Sequence, residues 1–244
     1  MSSHQKIALI TGATRGLGFE TARQLGREGV FVLLGARDLA TGQEKAEALR
    51  GEGLEVEAIE IDLNRPETVD TAASTIDERF GRLDILINNA GILLLDTDDF
   101  PSVAATNTMR ETLEVNFIGT VIVTQKMLPL IRNASSGRIV NVSSSVGSLW
   151  WNGDPGNPSP DVKWLGYAAS KAAVNMLTVQ LAFELRDTPI KVNSICPGYV
   201  MTDLNRGGGY ITIEDGVKAS VKFALLDDAG PTGQFFNTQG PINW

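Results

Sequence analysis

Short apolar segments alternate along this chain with longer segments in which apolar residues recur at helical spacing. Short apolar runs bounded by turn residues are typical of buried strands, and the 3.6-residue period is typical of amphipathic helices. The predicted strands are Lys6–Thr11, Phe31–Gly35, Val56–Ile61, Ile85–Asn88, Gly137–Val142, Lys191–Cys196 and Gln234–Phe236. The predicted helices are Gly18–Glu28, Leu39–Gly51, Pro66–Phe80, Met109–Ile131, Tyr167–Leu185 and Ile213–Leu225. This alternation predicts repeated strand–helix–strand units.

Several of the predicted strands are continuous runs of Val, Ile and Leu, as expected for a parallel sheet that is covered on both faces. The order of strands and helices therefore predicts an α/β fold, a doubly wound Rossmann-type domain with a seven-stranded parallel sheet. No repeat of fixed period and no low-complexity linker divides the chain. We therefore expect residues 1–244 to form a single domain.

Three segments interrupt the alternation, and each follows the end of a predicted strand. Leu93–Asn107 is polar and acidic, and Leu204–Tyr210 contains three consecutive glycines. Ser148–Trp164 is rich in Gly, Pro and Trp and is too broken to be a helix or a strand. Open α/β sheets bind their ligands at these strand ends. The three segments are therefore expected to line a substrate pocket.

The overall charge argues against a nucleic-acid partner. Lys and Arg number 21 against 29 Asp and Glu, which gives a net charge of −8. Such a chain has no domain-wide basic field to bind phosphates, although a local pair of basic residues is enough for an anionic cofactor. No apolar run is long enough to span a membrane, and the polar residues before Lys6 are unlike a signal peptide.

The cysteine and histidine content restricts the chemistry further. Cys196 is the only cysteine, which excludes an intrachain disulfide and favours a reducing, cytoplasmic compartment. It lies in a strand-like run, so we interpret it as a small buried core residue rather than a nucleophile. The only histidine is His4, in the polar leader, and histidine catalysis or a histidine-rich metal site is not expected.

A glycine-rich segment, Thr11–Gly18, follows the first predicted strand and precedes the first predicted helix. Gly12, Gly16 and Gly18 give it a Gly-x-x-x-Gly-x-Gly pattern. Such glycines permit a tight turn and let backbone N–H groups and a helix N-terminus approach a pyrophosphate. A plain structural turn is the alternative, but the strand before it and the helix after it favour dinucleotide binding.

The residues after the second predicted strand bear on the choice of cofactor. In folds of this kind an acidic residue here binds the adenosine ribose, whereas an arginine accommodates a 2′-phosphate. Ala36 occupies the position from which an acid would best reach the ribose, and Arg37 follows it. With Arg15 in the glycine turn, two guanidiniums favour NADPH over NADH. The alternative is that both arginines are solvated surface charges and that Asp38 caps the next helix.

Tyr167 and Lys171 are four residues apart and share one face of a predicted helix. A free tyrosine has a pKa of about 10 and exchanges protons poorly at neutral pH. A nearby ammonium and a cationic oxidised nicotinamide would favour the phenolate and lower this pKa toward the working range. By itself, such a pair is more often an aromatic core contact beside a solvated lysine.

Further motifs that accompany Tyr167 and Lys171 occur elsewhere in the chain. Together with the glycine turn, Asn88–Gly91, Asn116, Asn141–Ser145 and Pro197–Gly198, it resembles the short-chain dehydrogenase/reductase family, in the right order and over nearly the whole chain. Within that family the chain is most similar to the carbonyl-reductase branch. The similarity to that branch lies in Gly12-Ala13-Thr14-Arg15-Gly16 and in Pro197-Gly198-Tyr199-Val200-Met201-Thr202-Asp203.

The resemblance implies a role for each catalytic residue. Tyr167 would protonate the carbonyl oxygen as the hydride arrives. Lys171 would bind the nicotinamide ribose hydroxyls and lower the pKa of Tyr167. Asn116 would hold a water in the proton relay, and its alternative is an asparagine that bends a helix.

A serine is the remaining member of the implied catalytic set. Ser144 would hydrogen-bond the substrate oxygen and stabilise the developing alkoxide. Ser144 is preferred to Ser143 and Ser145 because it stands three residues before Gly147, as the family pattern has it. The neighbouring serines would then be turn residues.

The resemblance also implies which residues hold the cofactor. Asp62–Leu63 would meet the adenine, Asn89–Gly91 the adenosine ribose, and Pro197–Gly198 with Thr202 would close over the nicotinamide. For Asp62, capping of the helix that starts at Pro66 is an alternative. The predicted cofactor-binding residues are Gly12, Thr14, Arg15, Gly16, Leu17, Gly18, Arg37, Asp62, Leu63, Asn89, Ala90, Gly91, Tyr167, Lys171, Pro197, Gly198 and Thr202. No metal site is predicted.

The chain departs from the family pattern in two places. The interval between Ser144 and Tyr167 is unusually long because of residues 148–164, and a longer insertion of this kind occurs in monomeric carbonyl reductases. The tryptophans of this insertion predict an aromatic, apolar pocket for a hydrophobic ketone, and a surface loop is the alternative.

The segment Gly233–Pro241 lacks the Val-Asp-Gly-Gly ending that packs across a tetramer axis. We therefore expect a monomer or a homodimer rather than a tetramer.

The leading interpretation is an NADPH-dependent reductase of a ketone or aldehyde. A second is an NAD-linked alcohol or steroid dehydrogenase, which Ala36 and Arg37 argue against. A third is a regulator that senses NADP(H) without turnover. Such regulators usually lose the tyrosine or the lysine, and both are present here. The physiological substrate and the stereochemistry of the product stay open at this point.

Overall fold

The computed structural model describes residues 5–156 and 162–244, so His4 and part of the predicted insertion lie outside the described residues. Its strands are β1 (Ile7–Ile10), β2 (Phe31–Ala36), β3 (Val56–Glu60), β4 (Ile85–Asn88), β5 (Arg138–Val142), β6 (Lys191–Ile195) and β7 (Phe235–Phe236). They form one sheet in the order β3-β2-β1-β4-β5-β6-β7, and every pairing is parallel. The predicted seven-stranded parallel sheet is confirmed.

The helices lie on both faces of this sheet. Those in the described ranges are α1 (Gly16–Arg27), α2 (Leu39–Gly51), α3 (Pro66–Phe80), α4 (Thr106–Leu113), α5 (Thr120–Arg132), α6 (Leu149–Gly153), α7 (Leu165–Glu184), α8 (Ile213–Gly216) and α9 (Lys218–Ala224). None of them is both long enough and apolar enough to cross a membrane.

Three predicted segments differ from the observed ones. The predicted helix Met109–Ile131 is α4 and α5 joined by a π-helical turn, Glu114–Gly119. The predicted helix Ile213–Leu225 is divided into α8 and α9. The prediction that residues 148–164 hold no helix is wrong, because they contain α6. A single turn is too short for a hydrophobic period to reveal, and it is stabilised locally by the Ser148 hydroxyl, which accepts from the Trp151 amide at 3.0 Å.

Two apolar cores cover the two faces of the sheet. Alternate residues of a strand enter opposite cores: in β1, Leu9 enters one core and Ile10 the other. In β4, Leu86 enters the first core and Ile87 the second. Burial of each such side chain contributes about 1.5–3 kcal/mol. This two-sided burial explains why the strands are continuously apolar rather than alternating.

The direction of the winding reverses between β1 and β4, which pair side by side although β2 and β3 lie on the other flank of β1. The loops that follow β1 and β4 therefore diverge, and a crevice opens at the carboxyl edge between them. Thr11 joins the two loops, because its hydroxyl accepts from the amides of Asn89 and Ala90 at 3.0 Å each.

A row of buried polar side chains crosses the sheet below this crevice. Asn88, Asn141 and Ser194 stand in register on β4, β5 and β6. Asn88 donates to the Asn141 carboxamide oxygen at 2.8 Å, and Asn141 donates to the Thr178 hydroxyl at 2.8 Å. The Thr178 and Ser194 hydroxyls are 2.8 Å apart. The row connects α7 to the centre of the sheet.

Replacement of the central residue of this row should destabilise the fold. Asn141→Ala leaves the Asn88 amide and the Thr178 hydroxyl without this partner, and we expect a loss of about 2–3 kcal/mol in the free energy of unfolding by urea denaturation. Asn133→Ala is the matched control, because the Asn133 carboxamide is exposed and, in the part of the chain that the structure describes, bonds only to the Gly81 carbonyl, at 3.0 Å. Equal losses in the two variants would contradict a structural role for the row.

Candidate active site

A cleft of about 820 Å³ runs along the carboxyl edge of the sheet. This volume lies within the range of about 300–1,000 Å³ typical of ligand sites. Every predicted cofactor-binding residue lines the cleft, as do Ser144, Tyr167 and Lys171 of the predicted catalytic set. Asn116 is buried behind the cleft wall.

The three glycines of the turn at the cleft floor are required for different reasons. A Cβ at Gly12 would lie 2.9 Å from the Ala90 Cα, and a Cβ at Gly18 would lie 2.5 Å from the Gly12 carbonyl oxygen. Gly16 has a φ of +52° and faces open space, where the nearest atom to a Cβ would be a Thr202 methyl at 4.0 Å. Gly12 and Gly18 thus permit close packing, and Gly16 leaves the backbone accessible to a ligand.

The N-terminus of α1 faces the cleft with no side-chain cap from the described residues. Its first N–H groups are therefore free to bind an anion, and the helix dipole adds partial positive charge. Arg15 precedes the helix and lies 3.6 Å from the Asp203 carboxylate, with both side chains more than 70% exposed (71% and 74%). An ion pair this exposed contributes little. The first N–H groups of α1 and the guanidinium of Arg15 together fit the pyrophosphate of a dinucleotide.

The end of β2 brings a second basic residue to the cleft. Arg37 is exposed and lines the cleft next to the buried Ala36. Asp38 is accounted for as the cap of α2, because its carboxylate accepts from the Thr41 amide at 2.7 Å. Hydrogen bonding by the Thr41 side chain and by this amide lowers the pKa of Asp38. The alternative is thus confirmed in its first part, the capping of α2 by Asp38. Arg37 is exposed, as that alternative also expected, but it lies in the wall of the cleft.

Asp62 lies at the cleft after β3. Its carboxylate accepts from the Asn64 amide and from the Arg65 guanidinium, both at 3.0 Å. Burial acts to raise the pKa of Asp62, but these two bonds and the charge of Arg37 lower it overall. The N-cap position of α3 is Arg65, so the alternative that Asp62 caps this helix is wrong.

Tyr167 and Lys171 meet on α7 at the inner end of the cleft. The Lys171 ammonium donates to the Val142 carbonyl at 2.8 Å and lies 5.6 Å from the centre of the Tyr167 ring. Burial lowers the pKa of Lys171 from 10.5 to about 8. Burial and the neighbouring Cys196 raise the pKa of Tyr167, while a hydrogen bond with Ser144 lowers it less. Burial thus raises the pKa of Tyr167 in the chain by itself, and the lowering that the sequence analysis expects from Lys171 and an oxidised nicotinamide together stays a prediction.

The three consecutive serines after β5 have different surroundings. Ser144 is the one whose hydroxyl interacts with Tyr167. The Ser143 hydroxyl is buried and donates to the Lys171 carbonyl at 3.3 Å, and the Ser145 amide donates to the Cys196 sulfur at 3.2 Å. The geometry brings Ser144 to the tyrosine.

Asn116 lies in the π-helical turn between α4 and α5, so the expected irregularity of the helix at this residue is present. Its carboxamide accepts from the Ile92 amide at 2.7 Å and donates to the Ile92 carbonyl at 2.9 Å and the Ser170 hydroxyl at 3.0 Å. Ser170 in turn donates to the Tyr167 carbonyl at 2.7 Å. Asn116 thus supports the backbone of the tyrosine, and its predicted role in a water relay stays a prediction.

All three segments that interrupt the sequence pattern contribute to the cleft wall. The residues they supply are mostly apolar or aromatic: Leu93, Trp151, Val162, Trp164, Leu204, Asn205 and Tyr210. The rings of Trp164 and Tyr167 meet edge-on, with centres 6.5 Å apart. Trp150 is the exception among the tryptophans of the insertion, since it is 56% exposed and faces away from the cleft.

Some cleft residues carry no signal in the local sequence. Asn237–Gln239 and Ile242 come from the C-terminal segment. A hydrogen bond joins this segment to the insertion, because the Ser148 hydroxyl donates to the Asn243 carbonyl at 2.7 Å. Cys196 is buried, as predicted, and also lines the cleft. In the described part of the chain no cluster of His, Cys, Asp and Glu is suited to a metal ion.

Comparison with known proteins gives consistent matches. The family model described as short chain dehydrogenase matches residues 6–208. Salutaridine reductase from Papaver bracteatum is 33% identical, with 95% of this chain and 94% of that protein covered. Carbonyl reductase (NADPH) 1 from Mus musculus is 31% identical, with 100% of both covered. A gluconate 5-dehydrogenase from Burkholderia cenocepacia J2315, solved with NADP and tartrate, has a TM-score of 0.82 at 26% identity and covers 96% of this chain and 93% of its own.

The buried ammonium should make stability depend on pH. The pKa of Lys171 is about 8 in the folded protein and 10.5 ordinarily, so the unfolded chain binds more protons between these values and stability rises with pH. From about pH 8 to about pH 9.5 the wild type should gain free energy of unfolding relative to Lys171→Met, by up to about 1.4 kcal/mol per pH unit. Below about pH 7 the difference should stay constant.

Urea denaturation of the protein without cofactor measures this difference. Lys126→Met is the control, because Lys126 is half-exposed and pairs with Asp70 at the surface, at 2.5 Å. Parallel stability curves for the wild type and Lys171→Met across this pH range would contradict the prediction.

Proposed function

Because the chain belongs to the short-chain dehydrogenase/reductase family, we propose that it catalyses the NADPH-dependent reduction of a hydrophobic ketone or aldehyde to an alcohol. Its relatives support the broader class, an oxidoreductase that acts on a small molecule with a nicotinamide cofactor. One observation carries the finer proposal: Tyr167, Ser144 and Lys171 meet at the inner end of a cleft that is basic at its outer end and apolar beside the tyrosine.

The bound nicotinamide would supply the hydride, and the chain would supply position and a proton. Tyr167 carries its proton at neutral pH and can donate it to a carbonyl oxygen in the cleft. Burial raises the pKa of Tyr167, and the charges of Lys171 and of an oxidised nicotinamide would lower that pKa toward the working range. The Ser144 hydroxyl donates to the same oxygen and stabilises the charge that develops there. The Lys171 ammonium is held in place by the Val142 carbonyl. It would bind ribose hydroxyls and stabilise the phenolate that remains after proton transfer.

The outer end of the cleft supports NADPH. Arg15 and Arg37 both line it, and the buried Ala36 presents no carboxylate to the adenosine ribose. Guanidinium groups bind a phosphate dianion through charge-assisted hydrogen bonds. An NAD-linked alcohol or steroid dehydrogenase would instead require an acidic residue in place of Ala36.

The inner end of the cleft supports an uncharged, hydrophobic substrate. Its wall includes the aromatic side chains of Trp151, Trp164, Tyr199 and Tyr210. Aromatic walls of this kind bind flat or cyclic apolar groups through contact area. A cytoplasmic location and a monomeric or homodimeric assembly complete the proposal as predictions from the sequence.

Turnover can be tested directly with the wild-type protein. We expect NADPH absorbance to fall when the protein meets a panel of aryl and cyclic ketones. Tyr167→Phe should lower kcat by at least about 100-fold because it removes the general acid, while NADPH binding is retained. Tyr210→Phe is the matched control, because Tyr210 lies on the same cleft wall and is 80% exposed. Tight NADPH binding with no turnover on any ketone would favour the regulator instead.

Cofactor preference should depend on Arg37. Arg37→Ala removes a charge-assisted contact to the 2′-phosphate, and we expect the Kd for NADPH to rise by about 10- to 100-fold. The Kd for NADH should hardly change, and fluorescence titration measures both. Arg27→Ala is the control, since Arg27 lies at the far end of α1 and pairs with Glu52 at 3.2 Å. An unchanged preference for NADPH would contradict the assignment of Arg37.

A further inference from the structure

The helix that carries Tyr167 begins without a cap of its own. The N-cap position of α7 is Trp164, and its side chain makes no capping hydrogen bond. The first N–H groups of a helix have no partner within the helix and need one from elsewhere. Residues about seventy positions earlier in the chain supply it, on the loop between β4 and α4.

The carboxylate of Asp98 caps α7 from this loop. One of its oxygens accepts from the Gly166 amide at 2.8 Å, and the other accepts from the Tyr167 amide at 2.7 Å. The carbonyl of Asp99 accepts from the Leu165 amide at 3.3 Å. Three successive N–H groups at the start of the helix are thereby satisfied by two adjacent residues of the loop.

The contact between the loop and α7 is closely packed. Asp98 is 3% exposed, and its negative charge is placed at the positive end of the α7 dipole. A Cβ at Gly166 would lie 3.2 Å from the Asp98 carboxylate and 3.2 Å from the Met109 Cα. The glycine before the tyrosine is therefore what lets the carboxylate and α4 approach the helix.

The loop that bears Asp98 is itself held at two further points. The Thr97 hydroxyl accepts from the Thr108 hydroxyl on α4 at 2.7 Å. The Asp96 carboxylate pairs with Arg206 at 2.5 Å, in the glycine-rich segment that lines the other side of the cleft. Asp98 thus lies in a loop that joins one substrate wall to the other and to the start of α7.

Both backbone polar groups of Tyr167 are therefore bonded by side chains. Asp98 accepts from its amide, and Ser170 donates to its carbonyl at 2.7 Å. We propose that Asp98 is a positioning residue. It holds the start of α7 so that the Tyr167 hydroxyl lies beside Ser144, and it couples the position of Tyr167 to the substrate wall. The inference rests on the proposed reductase activity.

The test compares two substitutions of Asp98 with a matched control. Asp98→Ala should lower kcat by about 10- to 100-fold, since a misplacement of about 1 Å costs that much in rate. The Kd for NADPH should change by less than about twofold, because the basic end of the cleft is untouched. Asp98→Asn retains an acceptor oxygen in the same place and should recover part of the lost kcat. Asp99→Ala removes an exposed carboxylate that, among the described residues, accepts only from the Phe100 amide of its own loop, and this variant should turn over like the wild type.

Hydrogen exchange supplies a readout that does not depend on activity. In Asp98→Ala the amides of Gly166 and Tyr167 should exchange faster, while those of Val174 and Thr178 in the middle of α7 keep wild-type protection. A loss of protection throughout α7 in both Asp98→Ala and Asp98→Asn would show a general structural role and overturn the inference. So would a kcat in Asp98→Ala equal to that of Asp99→Ala.

Failure of the proposed function gives a different result from failure of this inference. A wild type that binds NADPH but reduces no ketone refutes the reductase activity, and the positioning role with it. A wild type that is active, with Asp98→Ala equally active, refutes the positioning role alone.

Discussion

Helix α7 is buried against the sheet along a face that carries polar side chains, and each of them needs a partner because an unpaired buried polar group is costly. Thr178 bonds to Asn141 and Ser194 at the sheet, and the Lys171 ammonium bonds to the carbonyl that ends β5. These contacts hold the middle of the helix against the sheet. The start of the helix, which carries Tyr167, is held by Asp98 at the amide of the tyrosine and by Ser170 at its carbonyl.

The same burial that orders α7 makes its reactive groups unfavourable in their charged forms. The pKa of Lys171 falls to about 8, and that of Tyr167 rises. Strongly perturbed groups of this kind cluster at functional sites, because a low dielectric strengthens every interaction with a ligand. The phenol of Tyr167 would donate its proton, and the Lys171 ammonium, whose pKa is about 8, would stabilise the phenolate that remains. Burial of apolar side chains in the two cores of the sheet offsets the free-energy cost of burying these polar groups.

The cleft is divided chemically along its length. At the outer end, the glycine turn, the N-terminus of α1 and two arginines present N–H donors and positive charge. At the inner end, aromatic residues from the insertion and from the segment after β6 surround the tyrosine. The cleft is therefore suited to an anionic group at its outer end and to an apolar group at its inner end. The reversal of winding at β1 and β4 is what opens a crevice long enough for both.

The sequence by itself determined the seven strands, their parallel sheet, the longer helices and the glycine turn, because hydrophobic period, strand composition and turn chemistry are local properties of the chain. It also placed Tyr167 and Lys171 on one helix face, which needs only the helical repeat. The resemblance had indicated Ser144, and the tertiary structure brings its hydroxyl to the tyrosine. Only the tertiary structure shows that Asn116 braces the backbone of Tyr167 through Ser170 and that Asp98 caps its helix. Burial, which only the tertiary structure determines, raises the pKa of Tyr167. These features depend on burial and on contacts between residues far apart in the chain, and no local pattern encodes either.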